Sequence, residues 1–129
     1  MQEKLFKEKY PIHTITIKKE ETKLDHIDAI IETIKSSVEA HPVATYIGIF
    51  DHYTHTKSLK ESEIMPEMVD AKNIMFCFGK ELTNPMVLAV RPRAIGVADM
   101  GESFVLSFLE APNPAANEAM INWCKSISN

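Results

Sequence analysis

The sequence contains few of the residues that mark specialised protein classes. Only two of its 129 residues are cysteines, and each stands in an apolar stretch. A disulfide framework is therefore disfavoured, and we expect both thiols to stay reduced. No uninterrupted apolar run approaches the length of a membrane span, and the charged N-terminus lacks the apolar segment of a signal peptide. We expect a cytoplasmic protein with no membrane partner.

Basic residues are also too few and too scattered to form a binding surface for nucleic acid. The chain has 14 lysines and arginines against 18 acidic residues, a net charge of −4. DNA and RNA are bound through clustered positive charge, so neither is an expected partner. The apolar fraction of 45% and the length of 129 residues suit one hydrophobic core. The sequence therefore predicts a single domain over residues 1–129.

Hydrophobic residues recur at strand spacing in some segments and at helix spacing in others. The predicted strands are residues 11–19, 43–51, 73–79, 94–98 and 103–110. The predicted helices are residues 23–39, a short one within residues 52–63, residues 86–90 and a closing helix from residue 114. This order (β-α-β-α-β-α-β-β-α) predicts an α+β fold with one sheet of about five strands and helices mainly on one face. The order of the strands within the sheet is not predicted.

Three local features make this prediction more specific. Residues 43–51 are almost free of charge, which suits a strand near the middle of the sheet. Thr22, three residues before Asp25, resembles the start of the first helix. Asn84 followed by Pro85 is typical of a helix start, and the apolar residues after it predict a short buried helix.

The clearest candidate for catalysis or metal binding follows the second predicted strand. Asp51, His52 and His55 stand there together, and an imidazole beside a carboxylate can act as a general base or bind a metal. A metal would need a further ligand from elsewhere, with four candidates: His13, His26, Glu61 and Glu63. The structural alternative is that Asp51 caps the next turn and the histidines are solvated. Cys77 is a possible nucleophile, although its apolar surroundings favour a packed core residue.

A second candidate site follows the third predicted strand. Gly79, Lys80, the amides at Asn84, Arg91 and Arg93 together could hold an anion, because backbone N–H groups and nearby cations favour phosphate or carboxylate. The spacing does not match a P-loop. The structural alternative is a capped turn with two surface arginines.

Five short motifs in this order resemble the domain of unknown function 302 family. They are Ile49-Phe50-Asp51-His52, Met75-Phe76-Cys77-Phe78-Gly79, Asn84-Pro85-Met86, Pro92-Arg93-Ala94-Ile95-Gly96 and the hairpin that ends at Pro112. The resemblance covers roughly residues 24–127 and implies a compact α+β domain that forms homodimers, with no established biochemical role. The chain departs from that family where a Leu-Pro pair usually follows the glycine, because it has Val97-Ala98 after Gly96.

These features leave three functional hypotheses open. The first is a homodimeric binding or regulatory domain with a pocket for a small molecule, which is favoured because no complete catalytic set is present. The second is an enzyme, with or without a metal, in which His52 and Asp51 move a proton on a small polar substrate. The third is a structural subunit of a larger complex, which predicts an exposed apolar patch. The sequence indicates no particular cofactor.

Overall fold

Six antiparallel strands and three α-helices make up the chain in the computed structural model, which describes all of residues 1–129. The strands are β1 (Gln2–Phe6), β2 (Tyr10–Lys18), β3 (Thr45–Phe50), β4 (Asp70–Cys77), β5 (Arg93–Asp99) and β6 (Ser103–Leu109). The helices are α1 (Ile27–Ala40), α2 (His52–Ser58) and α3 (Pro114–Lys125). Two 3-10 turns lie at Lys19–Glu21 and Pro85–Ala89.

The strands form one sheet in the order β1-β2-β6-β5-β4-β3. The last four strands of the chain follow one another as a meander, and α1 crosses the sheet from β2 to the far edge at β3. The predicted α+β class, the single sheet and the packing of helices on one face are confirmed, with six strands in place of about five. No helix combines the length and apolar character that crossing a membrane requires.

The core lies between one face of the sheet and the helices α1 and α3. Alternate residues of each strand point to this face, since side chains in a strand alternate between the two sides. Strand residues that are fully or almost fully buried here include Ile74, Phe76, Ile95, Val97, Phe104, Leu106 and Phe108. They pack against five aliphatic residues of α1 and against Met120, Trp123 and Cys124 of α3 in one cluster. The opposite face carries smaller, partly exposed side chains and has no long helix on it.

Strand β1 is the element that the sequence pattern did not predict. All of its residues are exposed, so they show no alternation of apolar and polar side chains. Its turn to β2 places Lys7 and Glu8 at positive φ, 52° and 60°. Such turns normally contain asparagine or glycine, and this one therefore gave no hairpin signal.

The predicted central position of residues 43–51 is wrong, because β3 is an edge strand. An uncharged strand sequence is typical of burial within a sheet, whereas Ile47, Ile49 and Phe50 are exposed here. The predicted cap of the first helix is also wrong. The hydroxyl of Thr22 donates to the carbonyl of Ile127 (2.6 Å), and α1 begins later, where Nδ1 of His26 accepts from an amide (3.1 Å).

The short helix after Asn84 was predicted correctly in its cap and incorrectly in its burial. Oδ1 of Asn84 accepts from the amide of Met86 (2.8 Å), as expected for a helix start. The element is a five-residue 3-10 turn with no buried residue, and Leu88 is exposed. It joins β4 to β5, and its Val87 shares a small pocket with Ala116 of α3.

Because only one face of the sheet is buried, we expect two leucines of the same strand to differ in their contribution to stability. Leu106 is fully buried, whereas Leu109 is on the opposite face and 48% exposed. We expect Leu106→Ala to lower the free energy of unfolding by about 2–5 kcal/mol, and Leu109→Ala to change it by about 0.5 kcal/mol or less. Urea unfolding monitored by the fluorescence of the single tryptophan measures both. Equal losses would mean that the second face of the sheet is covered as well.

Candidate functional site

A pocket of about 600 Å³ lies at the end of the sheet where β4 meets the loop of residues 79–92. We call it the Arg91 pocket. The edge strand contributes Ile47, which has no partner in β4 because the strand pairing shifts between Tyr46 and Gly48. The loop contributes Leu82 and Leu88. Three aliphatic side chains therefore form much of the pocket wall.

Lys80, Glu81 and Arg91 are the charged residues of this pocket, and Arg91 offers the most hydrogen-bond donors. Its Nη1 donates to the backbone carbonyl of Glu81 (2.7 Å), and no carboxylate forms an ion pair with it. A guanidinium has five N–H donors, so most of them remain for a ligand. A Cβ atom built on Gly79 would lie 3.0 Å from this Nη1 and 3.1 Å from Sγ of Cys77. Glycine at this position therefore leaves room for the arginine side chain.

The structure brings together three of the five residues of the predicted anion site. Gly79, Lys80 and Arg91 line one pocket, whereas the side chain of Asn84 is used as a cap. Arg93 lies outside this pocket and donates to the backbone carbonyls of Val90 (3.3 Å) and Leu109. Burial lowers the pKa of Arg93. Its contacts connect β5 to the end of β6, and a role of Arg93 in anion binding stays a prediction.

Asp51 occupies the position described by the structural alternative. Its Oδ1 accepts from the backbone amide of Thr54 (3.0 Å) and caps α2. This hydrogen bond lowers the pKa of Asp51. One carboxylate oxygen is thus already used, and the catalytic role of Asp51 stays a prediction.

His52 and His55 lie close together and are both exposed. Their rings contact Phe50, with centroid distances of 5.2 Å and 5.3 Å, and Nδ1 of His52 is 3.1 Å from the hydroxyl of Thr56. Neither histidine belongs to a group of three possible metal ligands. None of the predicted third ligands lies close enough to form such a group with them, and a metal-binding role of His52 and His55 stays a prediction.

His52 also lines a second cleft, of about 420 Å³, on the face of the sheet opposite α1 and α3. Asn73, Gly96 and Ser107 are cross-strand neighbours in its floor. Met68 and Met100 form part of its wall. This cleft was not predicted, because its residues come from four separate parts of the chain.

The two cysteines differ in their surroundings. Cys77 is half-buried and lines the Arg91 pocket, which contains no histidine that could activate it as a nucleophile. Cys124 is buried in the core, and burial raises the pKa of its thiol to about 12. Both are free thiols.

This difference predicts selective alkylation in the folded protein. Reaction with iodoacetamide at neutral pH requires a thiolate and access to solvent, so we expect Cys77 to react well before Cys124. Peptide mass spectrometry over a time course measures both rates, and Cys77→Ser should remove the fast phase. Equal rates under native conditions would show that the core opens as readily as the pocket.

Comparison with known sequences assigns the chain to a family but not to a function. No curated protein and no solved structure matches it significantly. The resemblance to the domain of unknown function 302 family is not confirmed, because the family model that matches is a different one. That model covers residues 1–129 and is described as a family of unknown function, DUF6858. The chain belongs to this family of unknown function.

Proposed function

We propose that the chain is a small binding domain that forms a homodimer and holds a small anionic ligand in the Arg91 pocket. The observation that carries this proposal is a guanidinium without a carboxylate partner in a pocket of about 600 Å³. Pockets of this size that combine apolar walls with a few polar groups are typical of small-molecule sites. The proposed compartment is the cytoplasm, in agreement with two free cysteines.

The pocket lining favours a ligand with one anionic end and one apolar end. Arg91 and Lys80 would bind the anionic group, because a guanidinium forms paired, charge-assisted hydrogen bonds with a carboxylate or a phosphate. Ile47, Leu82 and Leu88 would contact the apolar part. A short fatty carboxylate is the simplest compound with both properties.

The proposal of a homodimer rests on the edge strand beside this pocket. Ile47, Ile49 and Phe50 are 51%, 44% and 38% exposed, and β3 contains neither charged residues nor proline. Edge strands are normally protected by such residues. A second copy that packs its β3 edge against this one would cover the three side chains in a symmetric interface. Because Ile47 belongs to both surfaces, such an interface would also narrow the pocket mouth.

A second candidate function is proton transfer by His52 on a small polar substrate. The observation that favours it is the position of His52 in the cleft on the open face, near Asn73 and Ser107. A neutral imidazole can act as a general base toward a substrate in that cleft. This candidate has less support because Asp51 is used as a helix cap.

Arg91 is predicted to determine ligand affinity. Calorimetric titrations with octanoate, with 1-octanol and with inorganic phosphate separate the contributions of the two ends of the ligand to the binding free energy. We expect octanoate to bind most tightly and Arg91→Met to weaken it by about tenfold or more, because a hydrogen bond to a charged group contributes roughly 1.5–3 kcal/mol. Arg91→Lys should retain part of the affinity. The matched control is Lys125→Met, which removes an exposed charge on α3.

Two outcomes of this titration would contradict the proposed ligand class. Equal binding of octanoate and octanol would exclude a role for the anionic group. Unchanged octanoate affinity in Arg91→Met would place the ligand elsewhere. Octanoate should also slow the alkylation of Cys77 by iodoacetamide. This provides an independent measure, since Cys77 lines the same pocket.

The β3 edge is predicted to be the dimer interface. We expect sedimentation velocity to detect a dimer of the unaltered chain and a monomer for Ile49→Lys, because a buried lysine without a partner opposes association. The matched control is Leu5→Lys, a similar change on the opposite edge strand, where Leu5 is also exposed. A dimer lost only in Leu5→Lys would assign the interface to β1. A monomer at all concentrations would contradict the homodimer and favour the structural-subunit hypothesis.

A further inference from the structure

Three possible metal ligands from distant parts of the chain meet beside β1. They are Glu3 on β1, His13 on β2 and Glu110 directly after β6, and their ligand atoms all lie within 4.8 Å of one another. The strand pairing explains this arrangement. Glu3 pairs with His13, and His13 pairs with Phe108, two residues before Glu110. Because residues two apart in a strand point to the same side, all three side chains are on the face that α3 covers.

The imidazole of His13 is held in place with one nitrogen unsatisfied. Its ring stacks on Phe108, with a centroid distance of 4.9 Å and an angle of 20° between the ring planes. Nε2 is buried and has no hydrogen-bond partner. Buried polar atoms in native proteins nearly always have a partner, so this nitrogen is available to bind one.

The distance between this nitrogen and Glu110 suits two ligands of one metal ion better than a direct hydrogen bond. Nε2 of His13 is 3.5 Å from Oε1 of Glu110. Zinc binds nitrogen and oxygen ligands at about 2.0–2.2 Å in a tetrahedral arrangement, which separates two ligand atoms by about 3.4 Å. The observed separation is therefore close to that of two atoms that share one zinc ion.

The two carboxylates also lack a cation. Neither Glu3 nor Glu110 forms an ion pair with a lysine or an arginine, and His13 is the one basic side chain at ion-pair distance from Glu110. Two carboxylates held within 4.8 Å of each other repel in the absence of a positive charge. Both side chains are exposed, so their carboxylates can move closer around an ion.

We propose that Glu3, His13 and Glu110 bind a divalent transition-metal ion such as zinc. One imidazole with two carboxylates is a ligand set that suits zinc and related ions better than calcium or magnesium. Three protein ligands leave a fourth position for water or for an external ligand. The ion would connect β1, which is exposed throughout, to β2 and to the end of β6. This site is separate from the Arg91 pocket and does not depend on it.

Calorimetric titration of the chelator-treated full chain with zinc at neutral pH tests the proposal. We expect one zinc ion per chain, and native mass spectrometry checks that number. His13→Gln should weaken zinc binding by at least about tenfold, since even residues that only support a metal ligand have effects of that size. Glu3→Gln should also weaken it, and because Glu3 is exposed, that variant keeps the test valid if His13→Gln fails to fold.

Two controls separate this site from other zinc-binding residues. Glu8→Gln removes an exposed carboxylate from the same hairpin, and a double change of His52 and His55 to alanine removes the exposed histidine pair. Both should bind zinc as the unaltered chain does. The proposal is overturned if zinc does not bind, or if binding persists in Glu3→Gln and His13→Gln but is lost in the double variant.

Protease sensitivity provides a second readout, which reports where the ion binds because cleavage depends on how firmly β1 is held. Trypsin can cleave the exposed β1–β2 turn at Lys7. We expect zinc to slow this cleavage in the unaltered chain and in Glu8→Gln, because the ion would hold β1 against β2. Cleavage of Glu3→Gln should be insensitive to zinc. Equal protection of all three proteins would contradict a site at Glu3.

Discussion

The packing of α1 and α3 against one face of the sheet is the interaction on which the rest of the structure depends. All 19 buried apolar residues belong to the single cluster that this packing creates. A sheet with helices on one side only must leave its other face and its two edges to water or to partners. Both proposed ligand sites lie at these margins, and neither uses a side chain from the centre of the core.

The sequence predicted the elements that this packing requires. The five aliphatic residues of α1 recur at helical spacing because one side of the helix is buried, and the alternation in β6 has the same cause. Gly101, with φ at +87°, marks the β5–β6 turn because few other residues adopt that conformation. Each of these signals is local and reflects contact with the core.

Elements outside the core do not have such a pattern in their sequence. β1 has no buried residue and therefore no alternation, while Ile47, Ile49 and Phe50 of β3 are exposed although α1 contacts that strand. The Arg91 pocket was partly predictable because Gly79 and Lys80 stand only about a dozen residues before Arg91. The group of Glu3, His13 and Glu110 depends on the pairing of β2 with both β1 and β6. A single sequence does not contain that information.

The two proposed sites share no residue, but they approach each other where β5 begins and β6 ends. Arg93 stands two residues after Arg91 and donates to the backbone carbonyl of Leu109, the neighbour of Glu110. Arg91 and Ala111 also line one smaller pocket. Changes at sites that share contacts often have effects that are not additive. An influence of zinc on octanoate binding would therefore have a short route, through Arg93 and the carbonyl of Leu109.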